Sequence, residues 1–146
     1  MSESDLVALY SRRILALAAD IPHVGRLTAP TGTSRKRSPL CGSTVTVDLV
    51  MQAGLVTAFA QDVKACALGQ AAASILGGAV IGRSLAELQA ARTDLHAMLK
   101  DAGPVPSPPF EGFEVLLPAR DYKNRHASIM LALDAACEAA SLSENA

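Results

Sequence analysis

The stretch that most constrains this chain runs from Lys64 to Glu87, where one hydrophobic period gives way to another. Before it the apolar residues alternate. Val45, Val47, Leu49 and Met51 share one face, Gln52-Ala-Gly54 supplies a turn with a glycine, and Leu55 to Val63 returns. That pattern is an antiparallel hairpin. Simple alternation in the returning strand puts Val56, Ala58 and Ala60 on one face and Leu55, Thr57, Phe59 and Gln61 on the other. After Cys66 the period changes. Leu68, Ala71, Ala72, Ile75, Leu76, Ala79 and Val80 recur at three- and four-residue steps, which is one face of a helix. Cys66 therefore stands at a strand-to-helix junction. The free N–H groups and dipole of a helix N-terminus favour a thiolate, the form that binds metal or attacks. Cysteine is also among the most buried residue types, so a core role and a chemical role both stand at this point.

A hairpin places its two ends side by side. Cys41, just before the first strand, then comes close to Cys66, just after the second. Topology thus turns two isolated thiols into a candidate pair. Three cysteines, an odd number, argue against a disulfide framework.

The rest of the chain supplies a frame for that pair. Asp5 to Ala19 reads as an amphipathic helix through Leu6, Leu9, Tyr10, Arg13, Ile14 and Leu17, with Ser4 or Asp5 as cap. Pro22-His-Val-Gly25 is a turn with His23 at the surface, and a third strand is expected near Gly25 to Thr31. Leu27 to Pro39 carries turn formers and the basic run Arg35-Lys-Arg37, and reads as a mobile loop. Positive charge there, just before Cys41, would lower a thiol pKa. Ser84-Leu-Ala-Glu87 is a capping box for a helix through Leu85, Leu88, Leu95, Met98 and Leu99, with His96 on its outer side. The proline-rich run Gly103 to Pro109 ends that helix, and Phe110 to Leu117 is a short apolar connection. A last helix runs from about Asp121 to Leu142, with Ile129, Met130, Leu133 and Cys137 in a stripe beside His126. His126 is either a residue of the core edge or a ligand. Cys137 lies three turns beyond it, about 16 Å at ~1.5 Å per residue, too far for one compact site, and is assigned to the core.

The chain has 146 residues, enough for one domain, residues 1–146, with a real core. Half of it is hydrophobic, yet only 3% is aromatic and Trp is absent, so the core must be aliphatic and alanine-rich. The net charge of −1 creates no field that would favour nucleic acid or a membrane surface. No apolar run is long enough to span a bilayer, and the N-terminus lacks the basic and apolar regions of a leader, so a cytoplasmic protein is expected. The fold expected is α+β: a small antiparallel sheet of about three strands, with helices starting near Leu68, Leu85 and Asp121 on one face.

Taken in order, the segments resemble one family. Ser38-Pro-Leu-Cys-Gly-Ser43 resembles the Pro-x-Cys-Gly-Asp segment of the U-type iron–sulfur cluster scaffolds, IscU, SufU and the amino-terminal domain of NifU. Ala65-Cys66, Ala72-Ala-Ser74 and Gly82-Arg-Ser-Leu-x-Glu87 are similar to its second-cysteine helix and the cap that follows. Arg125-His-Ala-Ser-Ile129 resembles its Ile-His-Cys-Ser-Ile or Ile-Lys-Cys-Ala segment, and Pro22-His-Val-Gly25 its Asn-Pro-Arg-Asn-Val-Gly turn. The extra residues from about Leu99 to Leu117 look more like SufU than IscU. The resemblance implies an iron–sulfur assembly scaffold, not an enzyme, that works with a cysteine desulfurase or other assembly proteins. It implies a metal set of Cys41, Cys66 and His126.

Two positions depart from the family pattern. Ser43 stands at the aspartate position. Ala127 stands at the third cysteine in one register; in the other, His126 itself stands there. Alanine has no donor atom, and histidine can bind metal but cannot carry sulfur. Two thiolates and an imidazole still suit iron or zinc, with water or an outside ligand as the fourth donor. An iron–sulfur cluster would need a further ligand or a partner molecule. The alternative is an interaction module of the assembly machinery that carries no cluster. An enzyme with Cys41 or Cys66 as nucleophile and His126 as base is a third reading, but no oxyanion or substrate motif accompanies it.

Overall fold

A computed structural model describes residues 10–40 and 42–145; residues 1–9, Cys41 and Ala146 lie outside the described residues. In chain order the elements are α1 (Arg12–Ala19), β1 (Gly32–Arg37), β2 (Thr44–Gln52), β3 (Leu55–Lys64), α2 (Ala67–Ala79), α3 (Leu85–Lys100), a 3₁₀ segment (Glu111–Asp121) and α4 (Lys123–Glu144).

The hairpin expected from alternation is β2 and β3, joined by Ala53-Gly54 with φ of 53° and 77°. Two successive left-handed residues give a two-residue turn whose twist matches the strands. Phase is where simple alternation fails. Val50 pairs with Ala58 but Met51 pairs with Val56, so Thr57 is an extra residue, a β-bulge. The bulge flips the alternation, and Val56, Phe59 and Gln61 share the helix-covered face that was expected to divide them. The sheet is antiparallel with strand order β1-β2-β3, α+β as expected.

The third strand is not at Gly25 to Thr31. It is β1, which contains the basic run Arg35-Lys-Arg37 that reads from sequence as a loop. No apolar alternation announces it, because its inward residues are Gly32 and Ser34. They are small so that α4 can lie directly on the strand: a Cβ on Gly32 would overlap the Ala139 carbonyl. Arg35 and Arg37 face solvent on this edge, a charge pattern that discourages pairing with another chain. The segment near Gly25 makes only an isolated parallel bridge, Val24 to Gln61, on the far side of β3.

On the helix-free face, the fully buried Asp48 accepts from Arg26 Nε at 2.6 Å and Nη2 at 3.2 Å, Leu27 N at 3.1 Å and Thr33 Oγ1 at 2.7 Å. One carboxylate thus ties the incoming segment to β1 and β2. On the other face α4 covers β1 and β2 and packs against α2 and α3. The core between them is aliphatic: Ala71, Ala72, Ala132, Ala135, Ala136 and Ala139 are buried beside Leu68, Leu76, Leu95 and Leu133. α3 begins with the expected capping box, Ser84 and Glu87 bonding each other's backbone N–H.

Two further expectations change. The first helix does not run unbroken from Asp5: α1 starts at Arg12, and Ser11 caps it by accepting from Ile14 N at 3.2 Å. Residues 5–9, and the proposed caps Ser4 and Asp5, lie outside the described residues. Phe110 to Leu117 is largely 3₁₀ helix, not an open connection; it buries Phe113, Leu116 and Ala119. Among the described residues no helix is long and apolar enough to cross a membrane.

Candidate metal centre

Three elements meet at the end of the sheet where the hairpin opens. Cys66 is the N-cap residue of α2, with extended backbone (φ −67°, ψ 170°), and its side chain makes no capping hydrogen bond. Its sulfur is left free to face a neighbour, and that neighbour is Ser128 on α4, with Sγ and Oγ 3.4 Å apart. Ser128 Oγ donates in turn to Ser43 Oγ at 3.3 Å. Ser43 closes the loop that follows β1. Ser38 N donates to the Ser43 carbonyl at 2.8 Å, and Gly42, at φ 71°, donates back to the Ser38 carbonyl at 2.9 Å. The close approach of α2 to α4 depends on Gly69, where a Cβ would come within 2.6 Å of Ser128 Oγ.

His126 stands two residues before Ser128, in the first turn of α4, and is 2% exposed. Its Nε2 lies 2.9 Å from the Ala119 carbonyl and 3.0 Å from that of Arg120. Both partners only accept, so Nε2 carries the proton. Nδ1 is left as an acceptor, and it is buried without a hydrogen-bond partner. Residues two apart on a helix point about 200° apart at 3.6 residues per turn. Ser128 accordingly turns toward Cys66 while His126 turns toward the 3₁₀ segment. Ala127, between them, is half-buried.

Of the sequence-derived set, Cys66 and His126 therefore lie on neighbouring helix starts, and Cys41 lies outside the described residues. Among the described residues no group of three His, Cys, Asp or Glu side chains is close enough together to hold a metal ion. Asp48 is committed to Arg26 and does not substitute for the missing carboxylate. Cys137 is buried, as expected, and burial pushes its thiol up to about 12. His23 and His96 are exposed. His23 adopts φ 60°, and its carbonyl accepts from Gln61 N at 2.9 Å, so its role is to shape the turn. The residue that sequence reasoning passed over is Ser128. It lay inside the segment that carried the resemblance, but only the packing of α2 on α4 shows that it touches sulfur.

A crystal structure of the amino-terminal part of a nitrogen-fixing NifU-like protein from Brucella abortus superposes with a TM-score of 0.94. The two are 44% identical over 97% of this chain and 98% of that one. The chain belongs to the U-type iron–sulfur scaffold family. The U-type fold is also that of a protein assigned as an iron–sulfur cluster assembly scaffold for the SUF system of Fervidobacterium islandicum, at a TM-score of 0.78. That chain is 14% identical, over 88% of this chain and 94% of its own. No protein-family model matches the sequence. No curated protein matches it either.

Proposed function

We propose that this protein is a one-domain scaffold-like member of iron–sulfur cluster assembly, and that it holds iron, zinc or a labile cluster through Cys41, Cys66 and His126. The metal or cluster is cargo, taken up and passed on, and the protein is a carrier, not an enzyme. The observation that carries this reading is His126. A ring whose Nε2–H is held by two backbone carbonyls, and whose Nδ1 is buried without a hydrogen-bond partner, keeps that second nitrogen as the donor available to a cation. Cys66 adds a sulfur free of capping duty at a helix N-terminus. The donor set, two thiolates and an imidazole, suits iron or zinc and leaves a coordination position open. Partners of matching chemistry are a cysteine desulfurase and other assembly proteins that deliver sulfur and accept clusters. Nothing in the net charge or in the described helices favours nucleic acid or a membrane.

The contact of the Cys66 sulfur argues against a nucleophile–base pair, since it is made with a serine hydroxyl. The competing reading is an interaction module of the assembly machinery that carries no cluster. It is favoured by Ala127, a side chain with no donor atom where the family places cysteine in one register.

Metal and acid-labile sulfide are to be measured in protein purified without oxygen, alongside Cys41→Ala, Cys66→Ala and His126→Ala. The scaffold reading predicts bound iron or zinc in the parent protein and its loss in each variant. Metal content unaffected by all three substitutions, or no metal in the parent, would establish the interaction module instead.

A further inference from the structure

The helix-free face of the sheet carries a charge pattern that the proposed metal site does not use. The register sets Arg37 beside Thr44 and Thr44 beside Lys64 in one row, and Arg35 beside Thr46 and Thr46 beside Asp62 in the next. In the third row Asp48 holds Arg26. The pleat splits the basic run of β1: Lys36 pairs with Glu138 on α4, while Arg35 and Arg37 turn to the opposite face. Four cations from three separate segments therefore share one surface, and only strand pairing brings them together.

Two carboxylates oppose them. Asp48 is fully buried and committed to Arg26, whose side chain stays 56% exposed. Asp62 is half-buried. Arg35, Arg37 and Lys64 are exposed, and among the described residues they make no ion pair. The surplus is local, since the whole chain has a net charge of −1. The side chains between the cations are short, Thr44 and Thr46, and a depression of about 480 Å³ opens among Arg26, Arg35 and Lys64.

We infer that this face docks a partner protein through an acidic, extended segment with carboxylates on alternate residues. Such a segment repeats its side chains on one side every two residues, ~6.8 Å at ~3.4 Å per residue, which is the step from Arg35 to Arg37. One exposed ion pair contributes little, so the occupant must present several carboxylates at once. Arg26 is already fixed by Asp48 through Nε and Nη2 and loses little freedom on binding. No aromatic side chain lines the depression to stack a nucleobase, which disfavours single-stranded nucleic acid. The segment lies across the face and not along the charged edge of β1. Arg37 and Lys64 stand at the end of the sheet where Cys66 follows, so the docked partner sits behind the candidate metal centre. The inference holds whether or not metal is bound there.

Fluorescence polarisation of a labelled peptide of alternating glutamate and threonine tests this, with an alternating glutamine and threonine peptide as control. The glutamate peptide is expected to bind the parent protein and the glutamine peptide not to. Arg35→Glu/Lys64→Glu, at two exposed positions, is expected to weaken binding at least about tenfold. Arg35→Gln/Lys64→Gln serves if that variant does not fold. Arg13→Glu/Lys100→Glu reverses as much charge at exposed positions on α1 and α3, and is expected to leave binding unchanged. Raising the salt from about 0.1 M to about 1 M, which shortens the screening length from ~10 Å to ~3 Å, is expected to abolish binding. A glutamate peptide that does not bind, equal binding of the glutamine peptide, or equal loss in the two reversed variants overturns the inference. Tighter binding of a single-stranded oligonucleotide would assign the face to nucleic acid. Displacement of the peptide by equimolar inorganic phosphate would assign it to a small anion, and a parent dimer broken by the Arg35 and Lys64 reversal to a second copy of this chain. Each of these also overturns it.

Discussion

Single side chains here are committed to one task each, and two of them make that testable. The Arg26 guanidinium beside Asp48 holds its carboxyl below the ordinary value of 3.8, aided by Thr33 and the Leu27 amide and opposed by burial. A carboxylate whose folded pKa is depressed contributes stability that is complete above its unfolded value and is lost as pH falls through the folded one. Asp48→Asn should therefore cost about 1–3 kcal/mol near neutral pH, read from chemical denaturation, since it removes charge-assisted hydrogen bonds. The gap between parent and variant should close as the pH is lowered below 3.8, the ordinary carboxyl value. A gap that widens in acid would mean that the Arg26 pairing does not stabilise the fold. Cys137 is the converse case. Burial keeps its thiol protonated far above neutral pH, its pKa near 12. Alkylation of the native protein at neutral pH, mapped by peptide mass spectrometry, should label the half-exposed Cys66 and spare Cys137. Equal labelling would contradict the packing of α4.

At the level of elements, what was legible followed from periodicity, and what was not depended on a neighbour. Helices α2 and α3 carry their own apolar faces, and α3 its own capping box, and were legible. The register of β3 was not, because the extra residue at Thr57 is a property of the pair and not of the strand. Strand β1 was hidden because its inward positions answer to α4, which lies more than a hundred residues away in sequence. That dependence makes Gly32 fragile. Gly32→Ala must push α4 off the strand or move the strand, at a cost of about 1–3 kcal/mol. Its denaturation midpoint should fall accordingly, and an unchanged midpoint would show that α4 yields freely. The turn offers the opposite sign. Ala53 adopts φ 53° ahead of Gly54, and Asn-Gly is the favoured pair for such a turn. Ala53→Asn should raise stability by roughly 0.5–1 kcal/mol, since alanine is held where left-handed backbone costs about 1–2 kcal/mol. A loss of stability would indicate that the turn is not of this kind.

For the whole molecule, the order of segments carried more than any one of them. Cys66 before its helix, Ser84 with Glu87, and His126 in the first turn of α4 fell in the order on which the resemblance rested, and the fold followed. The candidate site was legible as a list of donors and not as an arrangement. Cys66 could be placed because a hairpin and a helix N-terminus fix it. The orientation of His126 could not, because it is set by two carbonyls of a 3₁₀ segment that has no clear sequence signature. Ser128 could not, because its contact with sulfur needs Gly69 opposite. On the proposed reading, Ser43 and Ala127 leave the site with fewer donors than the family pattern. Binding there should be weaker than in a complete set, and metal should leave more readily in acid, as protons compete for thiolate and imidazole. The most direct test of that claim is the metal and acid-labile sulfide content of Ser43→Asp/Ala127→Cys protein purified without oxygen, beside the parent. An added anionic oxygen and a third thiolate, set next to Cys66 and His126, should raise both contents. Unchanged contents, together with Cys41→Ala and Cys66→Ala proteins that hold as much metal as the parent, would contradict a cluster site here.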